Sequence, residues 1–226
     1  MEHLTLNEVD ADGAIQELAE KVEGSSRGAF LRKAGITAGA VIGGGALMGT
    51  IPSLASAGSL QATSDVDILN YALTLEYLEA AFYNEAVKTG ALKGETAVFA
   101  KTVAAHENAH VAFLKSALGM KAVRKPKFDF KGTTSDQAKF QATADVLENT
   151  GVHAYLGQAA LIKSKPVLAA AASILPVEAR HAAWIRDIRF KGGTDVATTP
   201  APAGFEDGFT KAKILAAVKA TGFITS

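Results

Sequence analysis

Leu75-Glu76-Tyr77-Leu78-Glu79-Ala80-Ala81-Phe82-Tyr83 sets a carboxylate seven residues before a tyrosine, and Glu107-Asn108-Ala109-His110 follows it. The same order returns further along the chain. Glu148 precedes Tyr155 by seven residues, and Glu178-Ala179-Arg180-His181 follows. Seven residues are close to two helical turns, so each Glu and its Tyr share a helix face. Glu and His at i and i+3 also project side by side. Glu76 to Glu107 is 31 residues and Glu148 to Glu178 is 30. Each interval allows a chain to run up one helix, round a turn and back to the same level. The two halves read as an internal duplication that brings four carboxylates and two imidazoles to one level of a four-helix bundle.

The surrounding residues support four helices. Leu69, Ala72, Leu73, Leu75, Ala80 and Phe82 give an apolar face to a helix over Asp65–Val87, with Ser64 or Asp65 as its cap and Gly90 as its stop. A second helix is expected over Gly94–Leu118, ending at Gly119. Ser135 or Asp136 can cap a third that continues to about Ser164. Pro166 suits the first turn of a fourth, which reaches about Phe190. Pro176 falls inside that helix, where it frees the carbonyl of Ala172. Between the second and third helices, Met120–Thr134 is polar and carries Pro126 and Gly132, which makes it a loop long enough to cross from one end of a bundle to the other. The fold class is therefore all-α, a four-helix bundle with one long crossover between helices 2 and 3. A short C-terminal helix over about Thr210–Ala220 is expected to pack on it through Ile214, Leu215 and Val218.

The domain organisation is a leader and export signal over 1–57, the bundle over 58–190 and a C-terminal tail over 191–226. From Ala34 to Ser64 there is no charged residue, Arg27, Arg32 and Lys33 stand before this stretch, and Ala55-Ser56-Ala57 offers a cleavage site. That order is the one a secretory signal has. Ser26–Arg32 resembles a twin-arginine signal, with Gly28 where the second arginine belongs. Export to the periplasm or beyond, by the twin-arginine route, is the expectation. Contact with a membrane is expected only if the apolar segment is retained, since it is long enough to span one. The acidic residues before it, with a helix over Ala14–Val22, are assigned no chemistry.

Composition narrows the chemistry. The chain has 226 residues, 23 basic and 23 acidic, and no cysteine. The balanced charge lacks the basic footprint of a nucleic-acid binder. Without thiols, metal ligands must come from His, Asp and Glu, a donor set suited to iron, manganese or zinc.

The duplicated spacing resembles the ferritin-like di-metal carboxylate superfamily, which includes bacterioferritin and rubrerythrin. The runs Ile68–Tyr83 and Glu178–Ala183 are more similar still to exported ferritin-like proteins related to plant desiccation-related protein. This resemblance implies two metal ions, iron or manganese, with Glu107 and Glu178 bridging them. Glu76 and His110 would complete one ion's ligands, and Glu148 and His181 the other's. Tyr83 and Tyr155 would be hydrogen-bond or one-electron donors near the centre. The implied activity is oxidoreduction, ferroxidase-like or peroxide-consuming, with O2 or peroxide and Fe(II) as substrates.

Simpler readings exist for several residues. Glu79, one turn from Glu76, is read as an ordinary face residue, because Glu76 alone has the tyrosine spacing. His106 is placed beside the site and His153 is read as structural. His106-Glu107-Asn108-Ala109-His110 also spells the zinc-protease motif His-Glu-x-x-His. A protease site needs a third ligand, and no Glu or His follows His110 until Glu148. A further alternative is a stress-protective bundle in which any metal only braces the fold.

Overall fold

The computed structural model describes residues 63–225. The leader, its helix and the export signal read over residues 1–57 lie outside the described residues. Four long helices make the bundle: α1 (Thr63–Thr89), α2 (Gly94–Leu118), α3 (Gln137–Ala159) and α4 (Lys165–Arg189). A short α5 (Lys211–Thr221) follows, and single 3-10 turns occupy Gly119–Lys121 and Val196–Thr198. The expected all-α bundle is present, and Gly94–Leu118 agrees at both ends. α3 stops at Ala159, sooner than expected, and a short turn leads to Ser164, whose extended conformation starts α4 with Pro166 in the first turn. None of the described helices is long and apolar enough to cross a membrane.

Hydrogen bonds at the helix ends define the directions. Asn70, near the start of α1, bonds the carbonyl of Lys121 and the amide of Val123. Near the other end of α1, Thr134 donates to Glu85 at 2.6 Å and Thr89 donates to the Thr134 carbonyl at 3.3 Å. The crossover therefore climbs alongside α1. From Asn70 to Thr89 the helix rises about 28 Å. The linking chain covers that easily at about 3.3 Å per extended residue. α2 and α3 consequently begin at one end of the bundle, and α1 and α4 at the other.

Asp65 was expected as a possible cap of α1, and the structure corrects this. It lies inside α1, fully buried, and its carboxylate accepts the amides of Lys163 at 3.0 Å and Ser164 at 2.9 Å. It thus satisfies donors where the chain enters α4. Asp136 does cap α3, accepting from the amide of Lys139 at 2.9 Å. Thr210 caps α5 through the amide of Lys213.

The core divides around the middle of the bundle. At the end where α2 and α3 begin, Phe82 stacks on Phe140 with ring centres 5.1 Å apart, and Phe99 meets Trp184 edge-on at 5.2 Å. At the other end, Leu69, Ala72, Leu75, Tyr155, Val167 and Ile174 help to line an apolar cavity. Asp145 on α3 pairs with Arg189 and Arg186 on α4. α5 packs through Ile214 and Val218, while Leu215 is 39 % exposed and contributes less than expected. The tail is pinned twice. Phe223 meets Phe130 of the crossover at 5.4 Å. Phe209 donates its amide to the carbonyl of His153, whose ring stacks on Phe209 and lies 2.6 Å from the Asp207 carbonyl. His153 is structural, as expected. Gly157 permits this contact, because a Cβ there would lie 2.0 Å from the Phe209 carbonyl oxygen.

Candidate metal centre

All six expected residues meet at mid-bundle. Glu76 comes from α1, Glu107 and His110 from α2, Glu148 from α3, and Glu178 and His181 from α4. The four carboxylates are fully buried. Nδ1 of His110 lies 3.2 Å from Glu76, 3.3 Å from Glu107 and 3.2 Å from Glu178. Nδ1 of His181 lies 3.1 Å from Glu148 and 3.3 Å from Glu107. Two overlapping groups result, Glu76–Glu107–His110–Glu178 and Glu107–Glu148–Glu178–His181. Within each, the candidate ligand atoms lie no more than 4.8 Å apart. Glu107 and Glu178 belong to both. Glu107 turns Oε2 to His110 and Oε1 to His181.

The tyrosines interlock the halves. Tyr83 of α1 donates to Oε1 of Glu148 on α3, and Tyr155 of α3 donates to Oε1 of Glu76 on α1. Each hydroxyl thereby leaves the second oxygen of its carboxylate facing an imidazole. Both hydroxyls are held above the ordinary tyrosine range by burial and then by the carboxylates, so they remain donors.

Protein groups alone leave this cluster unsatisfied. Oε1 of Glu107 and both oxygens of Glu178 are buried without a hydrogen-bond partner. Nδ1 of His110 approaches three carboxylates, but a ring nitrogen carries one proton at most. Burial pushes Glu76 up to about 7, and burial with neighbouring acids raises Glu178 well above the carboxylate range. For Glu107 burial acts the same way, but the adjacent His110 and His181 imidazoles outweigh it and hold the carboxyl below the ordinary range. A cation would serve the orphaned oxygens and the crowded imidazoles together, so the donor set fits bound metal.

One member of the site was misread from sequence. Glu79 is 3 % exposed and not a solvated face residue. Burial, and after it the charge of Glu178, pushes its carboxyl well above the ordinary range. Its room comes from Gly151, where a Cβ would lie 3.3 Å from Glu79 Oε1 and 2.8 Å from Glu178 Oε2. The duplication held the signal. Aligning Glu76 with Glu148 sets Gly151 opposite Glu79, a missing side chain where the other half has a carboxylate. His106 belongs to neither group of four, and its Nδ1 meets Nε2 of His181 at 2.8 Å. The two histidines of the His-Glu-x-x-His run therefore do not converge as the protease reading requires.

Fold and site together define an all-α bundle with a buried carboxylate–imidazole cluster able to hold metal. Comparison with known families agrees, since a family described as a ferritin-like domain matches residues 64–191, more than half of the chain. The protein belongs to that ferritin-like family. No curated protein matches it.

Proposed function

We propose that this is an exported ferritin-like protein whose cluster holds two metal ions, iron or manganese, for oxidoreduction of a ferroxidase-like or peroxide-consuming kind. The observation that carries this reading is the pair of four-membered groups sharing Glu107 and Glu178. Held there, two such ions would supply one electron each, and with two protons those two electrons would suffice to reduce O2 to hydrogen peroxide or peroxide to two waters. Glu107 and Glu178 would bridge the ions. Glu76 with His110, and Glu148 with His181, would complete the two ligand sets, and four carboxylates would offset two divalent charges. Tyr83 and Tyr155 orient the outer carboxylates and hold protons beside them. The export half of the proposal rests on residues 26–57, as does the likeness to exported desiccation-related proteins on the runs quoted above.

Elemental analysis of native protein tests the centre, with two ions per chain expected. About one ion per chain, unaffected by Glu107→Ala, would sink the reading. Loss of O2 and peroxide consumption when Glu76, His110, Glu148 and His181 are replaced together tests the activity. The mass of the exported product tests cleavage near Ala57.

Complete burial of all four carboxylates also favours a second reading, in which metal braces a stress-protective bundle. Uncompensated buried acids weaken a fold, and a cation relieves them. A bracing metal raises the melting temperature while neither O2 nor peroxide is consumed.

A further inference from the structure

The two imidazoles of the cluster are not equivalent. His181 turns Nδ1 to Glu148 and Glu107, and its other nitrogen, Nε2, lies 2.8 Å from Nδ1 of His106. The ring planes are 15° apart and the ring centres 5.1 Å apart. That separation exceeds the nitrogen–nitrogen distance by about two ring radii. The rings thus meet edge to edge in nearly one plane, the geometry in which an N–H points along a ring lone pair. His106 is exposed on α2, so the pair runs from the cluster to the surface. The other half has no such partner. His106 directly precedes Glu107, and the residue directly before Glu178 is Val177, which has no polar atom to offer. Among the described residues, Nε2 of His110 has no comparable imidazole.

We propose that His106 is a positioning residue for the half-site of Glu148 and His181, and that it makes this half the tighter of two divalent-cation sites. The proposal rests on the two-ion reading above. To offer its Nδ1 lone pair to a cation, neutral His181 must carry its proton on Nε2. The Nδ1 of His106 accepts that proton, which selects the tautomer, fixes the ring and makes His181 Nδ1 more basic. His110 binds without that help. Partners of this kind change metal affinity by about 10–100-fold.

The test is a titration of the full chain, stripped by chelator, with Mn(II), free ion being counted by its electron paramagnetic resonance. The wild-type chain should bind two ions in unequal steps. His106→Ala should weaken the tighter step by about 10–100-fold and leave the looser one unchanged. His106→Asn, whose Oδ1 stands near the position of the lost Nδ1, should restore part of the difference. Val177→His, which gives the second half its own imidazole, should tighten the looser step. Two equal steps in the wild type would overturn the proposal. So would equal weakening of both steps by His106→Ala, or a fall in melting temperature with both steps intact. If the wild-type chain binds no Mn(II), or a single ion, the two-ion reading itself fails and the proposal falls with it.

Discussion

Tyr155 on α3 donates its hydroxyl to Glu76 on α1, so an outer carboxylate of one half of the duplication is held by the tyrosine of the other. Tyr83 and Glu148 repeat the arrangement in reverse. This exchange ties the two helix pairs together at the level of the cluster. It also explains why the tyrosine stands two turns from each outer glutamate. The hydroxyl serves the carboxylate of the partner half, not its own.

Tyr155→Phe removes that donor and leaves a buried oxygen of Glu76 without a partner. The expected cost is about 1–3 kcal/mol of unfolding free energy, read from urea denaturation of metal-free protein. The packing of the ring is kept, so metal content should match the wild type. A fall in turnover at unchanged metal content would mark a chemical role for the hydroxyl.

Gly151→Ala separates helix propensity from site geometry. In an exposed helix the change would stabilise by about 1 kcal/mol. Here the new Cβ would fall 2.8 Å from Glu178 Oε2. We expect a destabilisation of about 1–3 kcal/mol from overpacking, together with weaker metal binding. A higher melting temperature with full metal content would show that Glu178 and Glu79 yield freely.

The metal-free chain should lose stability as pH rises from mildly acid to neutral. Glu76 moves from the usual 4.5 to about 7 in the folded state, and Glu79 and Glu178 move the same way. Folded protein therefore binds more protons than unfolded between those values, and stability falls across the window. His181, raised to about 10, adds a contribution that is complete below its unfolded value near 6.5 and lost as pH rises through 10. Glu107, held low, contributes in the opposite sense at strongly acid pH. Bound metal should reverse the neutral-pH loss, because deprotonated carboxylates are then its ligands. Thermal melts at several pH values, with and without chelator, check the sign.

Asp65→Ala should loosen the start of α4. Two amides, of Lys163 and Ser164, lose their buried acceptor. The expected cost is about 1–2 kcal/mol, as for a lost helix cap. Hydrogen exchange at Lys163–Val167 should quicken more than in α2. Uniform quickening across the bundle would place the effect elsewhere.

The amino-acid sequence by itself determined the helices, their order and the six residues of the cluster. A helix repeats every 3.6 residues, so Glu-x-x-His and Glu–x6–Tyr read directly as shared faces, and a long middle loop between two short ones leaves few bundle topologies. What it did not decide was the state of residues whose role depends on a neighbour from another helix. Glu79 looks like any solvated glutamate until Gly151 on α3 makes room for it. Asp65 looks like a cap for its own helix until the start of α4 is brought to it. His106 is one of two histidines in a protease-like run until α4 sets His181 against it. Spacing along one helix is local geometry, which the sequence carries. Burial, hydrogen-bond partners and shifted proton affinities come from segments that are distant in sequence and close in space, and only the packed bundle supplies them.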